Sequence, residues 1–443
     1  VGSEMCIRDS GSAEESAVET VTVLLFDEDE MCLDVVNVPS GEITVGNSGG
    51  STPTTATASK AQLVPEKTKK VFVVLNSAKW TFTKEAVVGK AWSTINTAIE
   101  AVIGDVATNS KFVMASAGTK ANGALTPVTV HKPATYTASD VAAAKKAAED
   151  APATINVDRL SAKVQVSQAS GFTKPTGSNF TFNGWELSVT NKSVRLYSDL
   201  VTYDNATPGA VYRRDKNYLE SEQPDVSDNN TKEANMDAVF NYLKNIKNVS
   251  ENMPAVAQID NASLYCLENT MEAKAQQLGF TTKVVVKAQY TPDGITKDAN
   301  YFSWKGAYYT LEQLKAEYLK HSDGTGLKVD LPIFLIKAGV MSQAEFDEGQ
   351  DKRNEIVANL SEGAAANQLN AKTGIIGRFC AVRYYHESVC YYDVLIRHDQ
   401  NITTKMALGR YGVVRNNWYN IELNSVSGPG TPWIPDPSDP DPT

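Results

Sequence analysis

The stretch INVDRLSAKVQV, Ile155–Val166, carries the apolar/polar alternation of a strand with one buried face. It follows an alanine-rich segment, Ala142–Asp150, that reads as a short helix, and then Pro152, a natural breaker. A strand pattern that restarts after such a break marks the beginning of a second domain, so the chain divides into residues 19–154 and residues 155–427.

The same reading extends to both sides. Upstream, Val21, Val23 and Leu25 alternate with Thr22, Leu24 and Phe26, a charged turn runs from Asp27 to Glu30, and a second strand covers Met31–Val38. Gly41–Ala61, rich in Gly, Ser and Thr, reads as a long polar connection. VFVVL at Val71–Leu75 is a continuous apolar run, as a central strand requires. Glu85–Ile103 places Val88, Trp92, Ile95, Ile99 and Val102 near helical spacing and predicts one amphipathic helix. Downstream, strands are expected at Phe180–Thr190, Leu264–Glu268, Thr282–Ala288, Tyr301–Thr310, Leu331–Lys337, Ile376–Tyr385, Cys390–Arg397 and Trp418–Val426. Helices are expected at Leu311–Leu319 and Gln343–Leu360. Many short strands, few helices and no regular βα alternation argue against a doubly wound sheet. The fold class is mainly β, with β-sandwiches carrying inserted helices.

Composition narrows the function. Among 443 residues, 42% are hydrophobic and 21% charged, an ordinary globular balance that supports two to three domains. The formal net charge of −10 and the lack of a Lys/Arg cluster exclude a nucleic-acid partner, which needs cations to neutralise phosphates. The chain has no apolar run long enough for a membrane-spanning helix. VGSEMCIRDS, Val1–Ser10, lacks the charged and apolar regions of a signal peptide and reads as neither strand nor helix. Residues 1–18 are therefore set aside as a non-native or leader remnant, Cys6 and Arg8 included.

Chemistry-bearing patterns are few. The four histidines, His131, His321, His386 and His398, show no zinc spacing, and no P-loop, G-x-S-x-G or GxGxxG occurs. Cys380, His386, Cys390 and His398 form the one cluster that needs a geometric test. If Ile376–Tyr385 and Cys390–Arg397 make a hairpin with its tip near Glu387, Cys390 and His398 lie roughly 26 Å apart along a strand. In that register Cys380 faces Val394 and sits about 13 Å from Cys390, beyond disulfide reach. These thiols read as core residues, with no metal, cofactor or catalytic group assigned. Asp27–Glu30 reads as a solvated acidic turn rather than a calcium site. Trp304, Tyr308 and Tyr309 read as strand packing rather than as a sugar-stacking platform. The closing segment GPGTPWIPDPSDPDPT, residues 428–443, alternates Pro with Asp, favours extended geometry and reads as a stiff spacer leading away from the domain. Its candidate subunit-contact residues are Gly428, Pro429, Gly430, Trp433 and Ile434.

GRYGVVRNNWYNIELNSVSGPGT, Gly409–Thr431, resembles the C-terminal signature of the Bacteroidales fimbrillins, the major fimbrial subunits of type V pili. The resemblance extends backwards, in the family's order, through SLYCLENT (Ser263–Thr270) with TTKVVVKAQY, FNGWELSVTNK (Phe182–Lys192), VDRLSAKV (Val157–Val164), Val71–Asn76 and Thr20–Phe26. It covers essentially Glu19–Gly430. Each motif is weak alone, but six in order are specific.

The resemblance implies two tandem transthyretin-like β-sandwich domains with an extended C-terminal tail, and a surface fimbria exported through the outer membrane. It implies a lipoprotein precursor from which an Arg-specific maturation protease removes an N-terminal strand. A C-terminal strand from the next subunit then fills the vacated groove, a head-to-tail contact that does not close and so gives a filament. The implied partners are copies of the chain, other fimbrial subunits, that protease, and a host or bacterial surface receptor. No cleavage position is assigned. Arg8, the only arginine before Arg159, stands in the leader, and the donor strand is expected beyond Thr443. The leading expectation is a polymerising shaft subunit. The alternatives are a tip, accessory or anchor subunit or a glycan-binding surface lipoprotein, and then an enzyme.

Overall fold

A computed structural model describes residues 6–8, 15, 17–46, 55–58, 60–77, 80, 82–97, 103–108, 111–245, 261–363, 365 and 367–438. The protein is mainly β, built from several sheets with a helical insertion. The N-terminal sheet has the order Cys32–Val38, Val21–Phe26, Lys70–Leu75, Met114–Ser116, Val157–Arg159, each neighbour antiparallel. Lys70–Leu75 lies at its centre, and its apolar run is used on both faces. Phe72 and Val74 join Leu24, Phe26, Trp92 and Ile95 in one core. Val73 and Leu75 join Phe112 and Met114 in the other.

Val157–Arg159 ends the first sheet, and after Leu160 the chain continues as Ser161–Thr173 in a second one, so the opening stretch of sequence bridges two sheets. There Ser161–Thr173 pairs antiparallel with Ser263–Leu267 on one side and parallel with Asn417–Ser425 on the other. Facing it is a three-stranded sheet, Asn179–Ser188, Lys283–Thr291 and Val389–Leu395. Inward residues of both, including Val164, Val166, Trp185, Val284, Val286, Tyr419 and Ile421, form a single core. This is the alternating burial expected of a sandwich.

Between Lys283–Thr291 and Val389–Leu395 lies an insertion. A small sheet, Tyr301–Trp304 with Ala307–Tyr309 and Val382–Tyr385, packs against helices Leu311–Lys320, Leu327–Lys337, Gln343–Asp347 and Gln350–Ala358. Thr310 starts the first of these as an N-cap, accepting a hydrogen bond from Gln313 N at 3.2 Å.

Several expectations are corrected. Leu331–Lys337 is helical, within Leu327–Lys337, despite its strand-like apolar run. Leu327, Leu331, Phe334 and Leu335 are buried at helical spacing, and a short apolar run cannot separate buried helix from buried strand. Ile376–Tyr385 is a strand only from Val382; before it stand a helical turn, Thr373–Ile376, and a 3-10 turn, Gly377–Phe379. The expected hairpin with Cys390–Arg397 does not form. Val382–Tyr385 pairs with Tyr301–Trp304 and Val389–Leu395 pairs with Lys283–Thr291, because Glu387 and Ser388 at φ 50° and 59° turn the chain into a different sheet. The single helix expected over Glu85–Ile103 is broken between Lys84–Val87 and Trp92–Thr97; Ile103–Val106 is also helical, and residues 98–102 lie outside the described residues. Gly89 at φ 78° turns the chain so that Trp92 N reaches Glu30 O at 3.0 Å. Gly41–Ala61 is not wholly a connection, since Ile43–Gly46 pairs antiparallel with Thr55–Ala58. Cys6–Arg8, set aside as non-structural, is a short strand antiparallel to Asn417–Tyr419.

Candidate assembly surface

The C-terminal tail does not lead away from the domain within the described residues. It turns back and runs along the outer edge of Val389–Leu395. Thr431 exchanges two backbone hydrogen bonds with Tyr391, at 2.7 and 2.9 Å, so one residue of the tail completes the edge that Lys283–Thr291 leaves open on the other side. Two tyrosine hydroxyls hold the approach: Tyr392 donates to Gly428 O at 2.9 Å and Tyr385 to Gly430 O at 3.0 Å. A Cβ on Gly430 would lie 2.0 Å from Tyr391 O, so this close approach of two backbones requires glycine.

Beyond Thr431 the two large apolar side chains are anchors. Trp433 packs on Ile375 beneath the Arg383 guanidinium, 5.2 Å from the ring centre. Ile434 is fully buried against Val285 and Tyr391. Asp436 Oδ2 then accepts from Asn245 N at 2.8 Å. The reason the spacer folds back lies in the pairing of a free sheet edge with seats for Trp433 and Ile434, and neither the edge nor the seats can be read from the tail's own sequence. The residues expected to touch a neighbouring subunit, Gly428, Gly430, Trp433 and Ile434, here touch their own chain, with Pro429 between the first two; residues 439–443 lie outside the described residues.

Asn417–Ser425 presents the second feature. Its inward side chains, Tyr419, Ile421 and Leu423, are buried in the sandwich. Its outer edge meets Cys6–Arg8 over Asn417–Tyr419 alone, and Asn420–Ser425 has no strand on that side among the described residues.

The signature segment that precedes this strand is wired inwards. Arg410 Nη1 donates to Ile402 O at 2.5 Å, and Tyr419 Oη accepts from Val414 N at 2.9 Å and lies 2.8 Å from His398 Nδ1. Arg415 is buried on Glu268, with Nε to Oε2 at 3.1 Å. Beside this pair, Asp215 is held well above the usual carboxylate range, first by burial and then by the charge of Glu268.

The Cys/His group is dispersed. Cys390 is buried in the sandwich, Cys380 borders the helical insertion, and His398 is engaged by Tyr419. Among the described residues no His/Cys/Asp/Glu group could hold a metal ion. Burial pushes the thiols of Cys32 and Cys390 up to about 11 and that of Cys266 up to about 12. A two-unit rise lowers the thiolate population about a hundredfold. Iodoacetamide at pH 8 is therefore expected to leave these three cysteines unmodified in the native protein and to label all of them in denaturant, as read by peptide mass mapping. Trp304 is core, with Nε1 donating to Asp330 at 2.8 Å, which removes it from any sugar platform. Asp27 caps its own turn by accepting from Met31 N at 2.9 Å, and Glu30 pairs with Lys70.

A groove of about 650 Å³ beside the insertion is lined by Asp298, Asn300, Glu312, Glu362 and Glu387 among others. Asn300 bridges two of its sides, donating to Glu362 and accepting from Glu387 N. Among the described residues no helix is long and apolar enough to cross a membrane.

Comparison with known proteins agrees with the C-terminal signature. Residues 383–443 match the family described as major fimbrial subunit protein type IV, fimbrillin, C-terminal. No curated protein matches the chain. Among solved structures, a fimbrial assembly protein from Parabacteroides distasonis is 15% identical with a TM-score of 0.31, the match covering 64% of this chain and 78% of that one. A candidate cell adhesion protein from Bacteroides eggerthii is 14% identical with a TM-score of 0.29, covering 63% and 70%. Those two likenesses are loose and carry no weight. The family match spans the closing strands and the tail track, so residues 383–443 are similar to the C-terminal region of the fimbrillins.

Proposed function

We propose that the protein is a polymerising shaft subunit of a surface fimbria, structural rather than catalytic. The observation that carries this reading is the pair of strand edges at the C-terminus. The tail already pairs with one edge through Thr431 and Tyr391, and Asn417–Ser425, whose inward side chains are buried, has among the described residues a strand beside its outer edge only over Asn417–Tyr419. An exposed edge over an apolar core is the geometry that β-augmentation satisfies, and a donated strand supplies backbone hydrogen bonds and side chains together. The partners are copies of this chain and other fimbrial subunits. Export through the outer membrane as a lipoprotein precursor, trimming of the N-terminal strand by an Arg-specific protease and donation of a strand downstream of the tail complete the cycle. A surface receptor for adhesion belongs to the assembled fibre.

The test is assembly of the full-length precursor. It is expected to be monomeric, and Arg-specific proteolysis is expected to convert it into a ladder of oligomers that resists detergent without heating. Complete cleavage with no ladder on the gel counts against a shaft subunit and leaves the tip, accessory or anchor role.

A further inference from the structure

The junction between the N-terminal sheet and the C-terminal sandwich is buried and ionic. Arg213, from the Tyr212–Arg214 strand, reaches into the first sheet, where its Nη2 donates to Asp158 Oδ2 at 2.5 Å and to Ala117 O at 3.0 Å. Its Nη1 donates to Ser198 O at 2.8 Å. The Ser198 hydroxyl carries the connection onward, donating to Glu268 Oε2 at 2.5 Å and accepting from Arg415 Nη2 at 2.7 Å. Arg415, directly before the Asn417–Ser425 strand, also donates to Leu196 O at 2.7 Å and Arg195 O at 2.9 Å. Asn416 closes a second route, donating to Asp158 Oδ1 at 3.1 Å and accepting from Arg159 Nη1 at 2.9 Å. Arg213, Glu268 and Arg415 are each more than nine-tenths buried.

The apolar core crosses the same junction. Val194, Leu196, Tyr197 and Leu267 lie downstream of the bridging strand, yet they complete the core of the N-terminal sheet with Leu24, Phe72 and Trp92. Tyr197 is fixed there by paired bonds with Asn96, at 2.9 and 3.0 Å. Separating the halves would expose this core and break the Arg213–Asp158 pair and the Asn416–Asp158 bond, whereas Arg415 and Glu268, both on the C-terminal side, would keep each other.

We propose that Arg213, Asn416 and the shared apolar core form a clasp that makes the two halves one cooperative mechanical unit, transmitting tension from the N-terminal sheet to the C-terminal strand. The load enters the C-terminal part through Arg213 and Asn416, which hold Asp158 and Ala117 of the N-terminal sheet in parallel with the bridging strand. This goes beyond the assembly reading and does not depend on it, since the clasp lies within one subunit.

Single-molecule stretching of the full chain between handles at its two ends tests it. One rip is expected, releasing both halves at once at up to about 3.6 Å per residue. Two well-separated rips in the unaltered protein overturn the proposal. The double variant Arg213→Met and Asn416→Leu removes both side-chain ties to Asp158 at similar side-chain size. It is expected to split the rip in two or to raise the unfolding rate at fixed force about a hundredfold or more. An unchanged single rip at unchanged force overturns the role of the two ties to Asp158. If that variant fails to fold, hydrogen exchange on the unaltered protein decides: peptides from residues 70–75 and 417–425 are expected to lose protection in one concerted step in urea, and separate steps overturn the clasp.

Discussion

Arg415→Ala is expected to lower the unfolding free energy by about 3–5 kcal/mol, measured as a fall in the urea midpoint, because it leaves a buried carboxylate unpaired. Glu268 is almost wholly inaccessible, and its remaining side-chain donor is the Ser198 hydroxyl. The substitution also strands the carbonyls of Arg195 and Leu196 and opens a large cavity, so the loss sits at the upper end of single-residue effects. A contrast isolates the cause. Replacing both members, Arg415→Met with Glu268→Leu, removes the stranded charge and is expected to cost clearly less than Arg415→Ala alone, since apolar replacements of buried pairs are often neutral. Equal losses in the two variants would locate the effect in packing rather than in charge.

Gly430→Val is the second large effect, and it acts on the tail rather than on the whole fold. No rotamer relieves a Cβ 2.0 Å from Tyr391 O, so residue 430 must leave the edge and take Thr431 with it. The Tyr385 hydroxyl loses its acceptor, and Trp433 and Ile434 lose their seats. Burying two such side chains contributes on the order of 3–5 kcal/mol together. Amide exchange at Thr431 and Tyr391 is therefore expected to quicken by two orders of magnitude or more, while the amides of Ser161–Thr173 keep their protection. Unchanged exchange at Thr431 would mean that the bridge to Tyr391 does not hold the tail. If the assembly reading is right, the same variant releases the spacer and speeds ladder formation after proteolysis.

Much of the β framework was legible in the residues. VTVLLF, KVFVVL, FNGWELS, KVVVKAQYT and NWYNIELNS each show alternation or a continuous β-branched run, and each is a strand within one to three residues of its expected bounds. Local chemistry sufficed there because a strand's burial pattern is written in its own side chains. LPIFLI misled because its apolar residues satisfy both periods, and only packing against Trp304 and Tyr384 selects the helix. Glu85–Ile103 misled because spacing does not register the turn at Gly89.

The C-terminal signature was the most informative stretch of all, yet its physical role was invisible. GRYGVVRNNWYN shows Arg415 and Asn416 directly before a strand; it does not show that Arg415 meets Glu268 and that Asn416 meets Asp158, partners 147 and 258 residues away. Such pairs carry no spacing rule, because a fold brings them together and a periodicity does not. The tail makes the same point in reverse. By itself the sequence determined that the segment up to Ser438 favours extended geometry and cannot form a regular ladder, for proline supplies no N–H and neighbouring aspartates repel. Where that extended segment lies up to Ser438 was decided by tertiary structure alone. A free edge at Tyr391, two tyrosine hydroxyls and seats for Trp433 and Ile434 come from strands distant in sequence, and they outweigh the tail's preference for solvent.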